Sequence, residues 1–166
     1  ADQFGSPEVT KEYEPMGNEI TKQLGDKIDI LCASVGTGGA IMGAWKGLRK
    51  AIPKIELVAF EPLQSPLLTT GKGGSHQVEG IGVGFEPPFL DQSVLTEIRA
   101  IDQEKAFVMC RQLAHKEGVF CGASTGLNVV GAIELAKEIG PGKRVVTFAC
   151  DSGLKYLDTN VYLKKN

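Results

Sequence analysis

Residues 28–60 read IDILCASVGTGGAIMGAWKGLRKAIPKIELVAF, and two kinds of pattern alternate along them. The apolar run Ile28–Ser34 is too short for a helix and rich in β-forming residues, which predicts a buried strand. After a glycine turn, apolar residues recur at helical spacing and predict an amphipathic helix from Ala40 to Lys50. Pro53 ends this helix, and Ile55–Phe60 predicts a second strand. Strand, turn, helix and strand in this order form a βαβ unit, so we predict a parallel sheet.

The later part of the chain repeats this order of strand, small-residue turn and helix. A Gly- and Pro-rich connection at residues 65–90 precedes this repeat, and long irregular loops of this kind more often have a function than not. The remaining predicted elements are helices at Glu19–Leu24, Asp102–Glu117 and Leu127–Glu138, and strands at Val119–Cys121 and Val145–Cys150.

Composition excludes several classes of protein. The 166 residues are 42% hydrophobic and 23% charged, as in one soluble globular domain. The formal net charge is -2, so the excess of basic residues that binds nucleic acid or an anionic membrane is absent from the sequence. No membrane span or secretion signal is predicted. The cysteines lack a C-x-x-C motif, and His76 and His115 have no metal-ligand spacing around them, so we expect free thiols, a cytoplasmic location and no metal site.

The glycine turn at Gly36–Gly39 is suited to phosphate. It follows a buried strand and opens a helix, whose N-terminus presents unpaired backbone N–H groups. A ligand-free βα turn is the simpler alternative. No Walker A lysine follows the glycines, and Ile41 stands where a dinucleotide motif has its third glycine. Glu61, at the end of the next strand, keeps an NAD-binding domain open as an alternative.

The glycine turn is the first of four glycine-containing motifs along the chain. They are Gly36-Thr37-Gly38-Gly39, Glu79-Gly80-Ile81-Gly82, Gly122-Ala123-Ser124-Thr125-Gly126 and Asp151-Ser152-Gly153. In this order and spacing the chain resembles the fold-type II pyridoxal phosphate enzymes, most closely the cysteine synthase (O-acetylserine sulfhydrylase) family. The resemblance implies an α/β fold, a three-layer parallel twisted sheet with helices on both faces, as in the large domain of the tryptophan synthase β-like fold. It also implies pyridoxal 5'-phosphate as the cofactor.

The resemblance assigns roles to single residues. Gly36, Thr37, Gly38 and Gly39 match the loop that binds the cofactor phosphate through backbone amides and a threonine hydroxyl. Ala40 stands where the family usually has another Thr, so only its backbone N–H remains as a donor.

Ser124 matches the serine whose hydroxyl meets the pyridine nitrogen. A neutral hydroxyl leaves that nitrogen largely unprotonated, which suits β-elimination. An N-cap of the following helix is the alternative role for Ser124. Gly80, Ile81 and Gly82 match the family's loop on the substrate side.

The family's Schiff-base lysine and its Ser/Thr-Gly-Asn loop lie upstream of the matched portion. Residues 1–166 are therefore expected to form most of the phosphate-binding large domain, without its N-terminal segment and the small domain. Lys46, Lys72 and Lys155 are expected to be solvated surface charges, because Lys is rarely buried unless paired. We expect no catalytic residue in this chain and no activity from it alone.

The implied activity is a β-replacement that makes cysteine from O-acetylserine and sulfide. Cystathionine β-synthase-like, diaminopropionate synthase-like and cysteine desulfhydrase-like activities remain alternatives, as does a non-catalytic binding or assembly module. The resemblance implies an amino-acid substrate, a homodimer in the full-length enzyme, and the C-terminus of serine acetyltransferase as a partner.

Overall fold

The structure is a computed structural model that describes residues 2–163. It contains four parallel strands in the order β3-β2-β1-β4. The strands are β1 Ile30–Ser34, β2 Glu56–Pro62, β3 Glu97–Ile101 and β4 Val145–Val146. The helices are α1 Glu8–Glu12, α2 Glu14–Leu24, α3 Gly39–Arg49, α4 Leu67–Thr70, α5 Gln103–Gln112 and α6 Ala123–Ile139, and a π-helical turn, Leu113–Glu117, follows α5. Among these residues, no helix is both long and apolar enough to cross a membrane.

The two faces of the sheet bury separate apolar clusters. Leu31 and Ala33 of β1 point toward α3, where Leu48 is fully buried. Cys32, between them, points to the opposite face and packs in the cluster that contains Phe107 of α5 and Leu127 of α6. Side chains alternate across a strand, so one continuous apolar run supplies both clusters. The predicted three-layer fold with helices on both faces is thereby confirmed.

Several predicted elements differ from the structure. The predicted strand Val119–Cys121 is wrong, because Cys121 makes only one isolated bridge, to Ser152. The last strand is limited to Val145–Val146 instead of extending to Cys150. Helix α6 begins at Ala123, four residues before the predicted Leu127. Strand β3 and helices α1 and α4 were not predicted.

Burial agrees with the expectation of free thiols. Cys32, Cys110 and Cys121 are buried, and burial raises the pKa of Cys32 and of Cys110 to about 12. Cys150 is exposed and follows β4. The buried thiols therefore act as small apolar core residues.

A side chain replaces the backbone ladder between β1 and β4. The two strands pair only at Ile30 with Val145 and Leu31 with Val146. Beyond that point the amide of Asn128, fully buried on α6, accepts from the Ser34 N–H at 2.6 Å and donates to the Phe148 carbonyl at 3.0 Å. The chain after β4 is thus held away from β1, and the carboxyl edge of the sheet opens at this point.

Asn128→Leu tests this bridge. The variant leaves the Ser34 N–H and the Phe148 carbonyl without their partner, and each unsatisfied buried group costs about 1–3 kcal/mol. We expect the free energy of unfolding in urea to fall by about 2–4 kcal/mol. Lys137→Ala, on the exposed face of the same helix, is the control and should change it by less than about 0.5 kcal/mol. Equal stability of the two variants would contradict the bridge.

Candidate functional site

A cavity of about 390 Å³ lies at the carboxyl ends of β1 and β4. Within the sheet, β2 lies on one side of β1 and β4 lies on its other side. The strand order therefore reverses at β1. Open α/β sheets bind ligands in the crevice at such a point. The cavity is therefore our candidate site.

Residues from distant parts of the sequence meet in its wall. Of those singled out from the sequence, the cavity is lined by Gly36, Thr37, Gly38, Ala40, Gly80, Ile81 and Ser124. Gly39 and Gly82 are adjacent in sequence to this set but are not lining residues. The predicted phosphate turn (Gly36–Gly39), the predicted substrate-side loop (Gly80–Gly82) and the start of α6 thus border one cavity.

Two glycines set the shape of the phosphate turn. A Cβ on Gly36 would lie 2.5 Å from the Gly80 carbonyl oxygen, so only glycine allows the turn and the loop to touch. Gly38 is the N-cap of α3 with φ 87°, a left-handed conformation in which its added Cβ would also lie 2.8 Å from the Leu90 nitrogen. The backbone can therefore approach a ligand closely at this turn.

The first turn of α3 offers donors to an anion. The Ala40 and Ile41 N–H groups precede the first intrahelical bond, which the Met42 N–H makes to the Gly38 carbonyl at 3.1 Å. Thr37 Oγ1 accepts from the Gly39 N–H at 3.3 Å, and its own hydroxyl proton remains free to donate. The turn carries no acidic residue. This donor set fits a phosphate group, with the helix dipole favouring its charge.

Ser124 lies inside α6 and does not cap it. The N-cap is Gly122, which makes no side-chain cap bond, so the alternative role of Ser124 as an N-cap is wrong. Ser124 is 5% exposed and lines the cavity. Its neighbour Thr125 accepts from the Cys150 N–H at 2.9 Å and so ties the start of α6 to the segment after β4.

Asp151 and its neighbours form a part of the wall to which the sequence assigned no role. Tyr156 donates its hydroxyl to Asp151 Oδ2 at 2.9 Å, and Lys155 Nζ lies 3.1 Å from the same oxygen. Burial, together with the Asp151 carboxylate, raises the pKa of Tyr156 to about 12. The hydrogen bond to Asp151 raises the pKa of Lys155. Asp151 directly follows the last predicted strand, and this position at the carboxyl edge was the signal that could have identified it.

The predictions for the lysines and histidines agree with the structure in part. Lys46 and Lys72 are exposed, as predicted, and the Lys155 side chain is 60% exposed but also lines the cavity. His115 is exposed on the turn after α5. Within residues 2–163, no three His, Cys, Asp or Glu side chains group closely enough to hold a metal ion.

Glu61 is not available to a ribose. Its carboxylate, 3% exposed, accepts from the backbone N–H groups of Leu68 and Thr69 and from the Thr69 hydroxyl. These bonds hold the start of α4 against the end of β2.

Comparison with known proteins identifies the family. The sequence profile described as "Pyridoxal-phosphate dependent enzyme" matches residues 1–151, so the chain belongs to that family. The predicted family and its cofactor are confirmed, and the NAD alternative is wrong. The chain is 40% identical over 162 residues to cysteine synthase of Staphylococcus aureus strain N315. The aligned residues cover 96% of this chain and 52% of that protein.

Two solved structures share the fold. An O-acetylserine dependent cystathionine beta-synthase from Helicobacter pylori is 34% identical with a TM-score of 0.91, over 97% of this chain and 53% of that one. A hydrogen sulfide-producing enzyme from Fusobacterium nucleatum is 36% identical with a TM-score of 0.89, over 94% and 53%. The chain spans about half the length of each of these relatives.

Thr37→Val tests the phosphate turn. The change keeps the side-chain shape but removes the hydroxyl, and a hydrogen bond to a charged group contributes about 1.5–3 kcal/mol. We expect the Kd of pyridoxal phosphate for the chain, measured by isothermal titration calorimetry, to rise at least about tenfold. Thr37→Ser keeps the hydroxyl and should bind within about threefold of the unchanged protein. Indistinguishable Kd values for the Val and Ser variants would remove Thr37 from the site.

Proposed function

We propose that this chain is most of the phosphate-binding large domain of a cysteine synthase, which makes cysteine from O-acetylserine and sulfide. The observation that carries the proposal is the cavity where the free N–H groups of α3 and the Thr37 hydroxyl converge. Gly36, Thr37, Gly38, Gly39 and Ala40 would hold the phosphate of pyridoxal phosphate there. When bound, that cofactor supplies an electron sink for loss of the β substituent from an amino-acid substrate.

The Ser124 hydroxyl is the proposed partner of the ring nitrogen. It is a neutral group on the wall of the same cavity, so it does not favour protonation of that nitrogen as a carboxylate would. Asp151 also lines the cavity; Tyr156 and Lys155 hold its Oδ2, whereas its Oδ1 is buried without a hydrogen-bond partner. The resemblance to the family matches Ser124, and not Asp151, to the ring nitrogen, so Ser124 is the proposed partner.

Gly80, Ile81 and Gly82 would form the wall on the substrate side. Gly80 and Ile81 line the cavity, and the Gly80 carbonyl touches the phosphate turn at Gly36. An amino-acid substrate held between this loop and the cofactor would be shielded on one side by the loop. This arrangement supports a small substrate close to the phosphate turn.

The covalent amine is proposed to come from outside residues 1–166. Among residues 2–163, Lys155 is the lysine that lines the cavity. Its ammonium is held by Asp151, and its pKa is raised, whereas a Schiff-base lysine needs a lowered one. Lys155 is therefore suited to ion pairing and not to nucleophilic attack.

We also propose a cytoplasmic homodimer with the C-terminus of serine acetyltransferase as a partner, on the strength of the family alone. The alternative activities differ from cysteine synthesis in their substrates. The Helicobacter pylori and Fusobacterium nucleatum enzymes, at similar identity, support cystathionine-forming and sulfide-producing variants of the same chemistry. Their similar identity to this chain does not distinguish between these activities, so substrate choice needs a direct assay.

The chain alone is expected to form no cysteine from O-acetylserine and sulfide above the rate without protein. Borohydride reduction in the presence of pyridoxal phosphate, followed by peptide mapping, should find no stoichiometrically labelled lysine, because no lysine in the site has a lowered pKa. Stoichiometric labelling of Lys155 together with turnover would overturn this part of the proposal.

The same assay, after addition of a fragment equivalent to the first half of the Staphylococcus aureus enzyme, compares three substrates. They are O-acetylserine with sulfide, O-acetylserine with homocysteine, and cysteine alone, and we expect the first to react fastest. In that mixture Ser124→Ala should lower the rate by roughly tenfold, the value of one hydrogen bond to the reacting group. Ser152→Ala is the matched control, because Ser152 is exposed and does not line the cavity, and it should leave the rate unchanged. Equal rates for the Ser124→Ala and Ser152→Ala variants would remove Ser124 from the ring nitrogen.

A further inference from the structure

We propose that His76 is a positioning residue, whose neutral ring fixes the loop Gly80–Gly82 against the phosphate turn. The proposal rests on the proposed function only for what the loop does in a loaded enzyme. The sequence assigned no role to His76, because no metal-ligand spacing surrounds it.

The contacts of the ring define its protonation state. Nδ1 accepts from the Val78 N–H at 3.2 Å, and Nε2 lies 3.0 Å from the Gly82 carbonyl oxygen. A backbone N–H can only donate and a carbonyl can only accept. Both contacts are therefore satisfied in one state alone, the neutral ring with its proton on Nε2.

The same loop is tied to the central strand from its other side. The Gly82 N–H donates to the Val35 carbonyl at 3.0 Å, directly after β1. Gly82 is thus held at its N–H by the end of β1 and at its carbonyl by His76. Val78, at the other nitrogen of the ring, is fully buried, so the ring spans from the core to the loop.

Through this loop, the position of the His76 ring affects the cavity wall. Gly80 lies two residues before Gly82, and its carbonyl touches the phosphate turn at Gly36. Ile81 between them is 7% exposed, which anchors the centre of the loop in the core. Loss of the His76 bond to Gly82 frees one end of a short segment that forms the cavity wall.

Two substitutions separate the two nitrogens. Gln places its amide nitrogen near the position of Nε2, so His76→Gln keeps a donor for Gly82. Asn places its amide oxygen near the position of Nδ1, so His76→Asn keeps an acceptor for Val78. His115→Gln, at the exposed histidine, is the matched control.

The test is native-state hydrogen exchange on the full chain without ligand, with rates normalised to the amides of β1. In His76→Gln the Val78 N–H loses its acceptor and should exchange roughly five- to tenfold faster, with the Gly82 amide unchanged. In His76→Asn the Gly82 carbonyl loses its donor, so the Gly82 amide, which donates to Val35, should exchange faster as its segment loosens, with the Val78 amide unchanged. The control should change neither amide. In the unchanged protein, ¹⁵N spectra of the ring should show Nδ1 unprotonated and Nε2 protonated.

A proton on Nδ1, equal acceleration of both amides in both variants, or no acceleration in either would each overturn the proposal. In the second case the ring would only fill space. Because no cofactor or substrate enters this experiment, its failure is distinct from a failure of the proposed function.

Discussion

The amide of Asn128 stands in the place of backbone pairing where the sheet opens. Here β4 pairs with β1 over two residues, and the Asn128 side chain then takes the Ser34 N–H and the Phe148 carbonyl. Both backbone groups therefore have a hydrogen-bond partner although the two strands diverge. The cavity lies beside this divergence, at the carboxyl ends of β1 and β4.

The rest of the site is formed by polar groups that lie beside the opening. The N–H groups at the start of α3 have no partner within the helix, and glycines at Gly36 and Gly38 keep side chains away from them. The loop at Gly80 closes the wall by backbone contact with Gly36. Within residues 2–163, Ser34 Oγ and Asp151 Oδ1 are buried in this region without a hydrogen-bond partner. Polar groups thus concentrate where the sheet opens, which is the arrangement expected of a binding site.

Periodicity predicted the elements that are apolar and regular. The unit from β1 through α3 to β2 follows directly from a buried run, a helical repeat and a second buried run. Strand β3 was missed because it is an edge strand in which Glu97 and Arg99 alternate with apolar residues, and Arg99 pairs with Glu97 and Glu138 instead of entering the core. The early start of α6 was missed because Gly126 is a poor helix former. This early start depends on tertiary contact, since a Cβ on Gly126 would lie 2.5 Å from the Cys110 sulfur.

The most direct measurement is a titration of the ¹⁵N-labelled chain with pyridoxal phosphate, followed by backbone amide shifts. The account places the phosphate at the first turn of α3, so the Ala40 and Ile41 amides should shift most and saturate together with the cofactor ³¹P signal. Shifts confined to residues around surface lysines, with Ala40 and Ile41 unmoved, would contradict it.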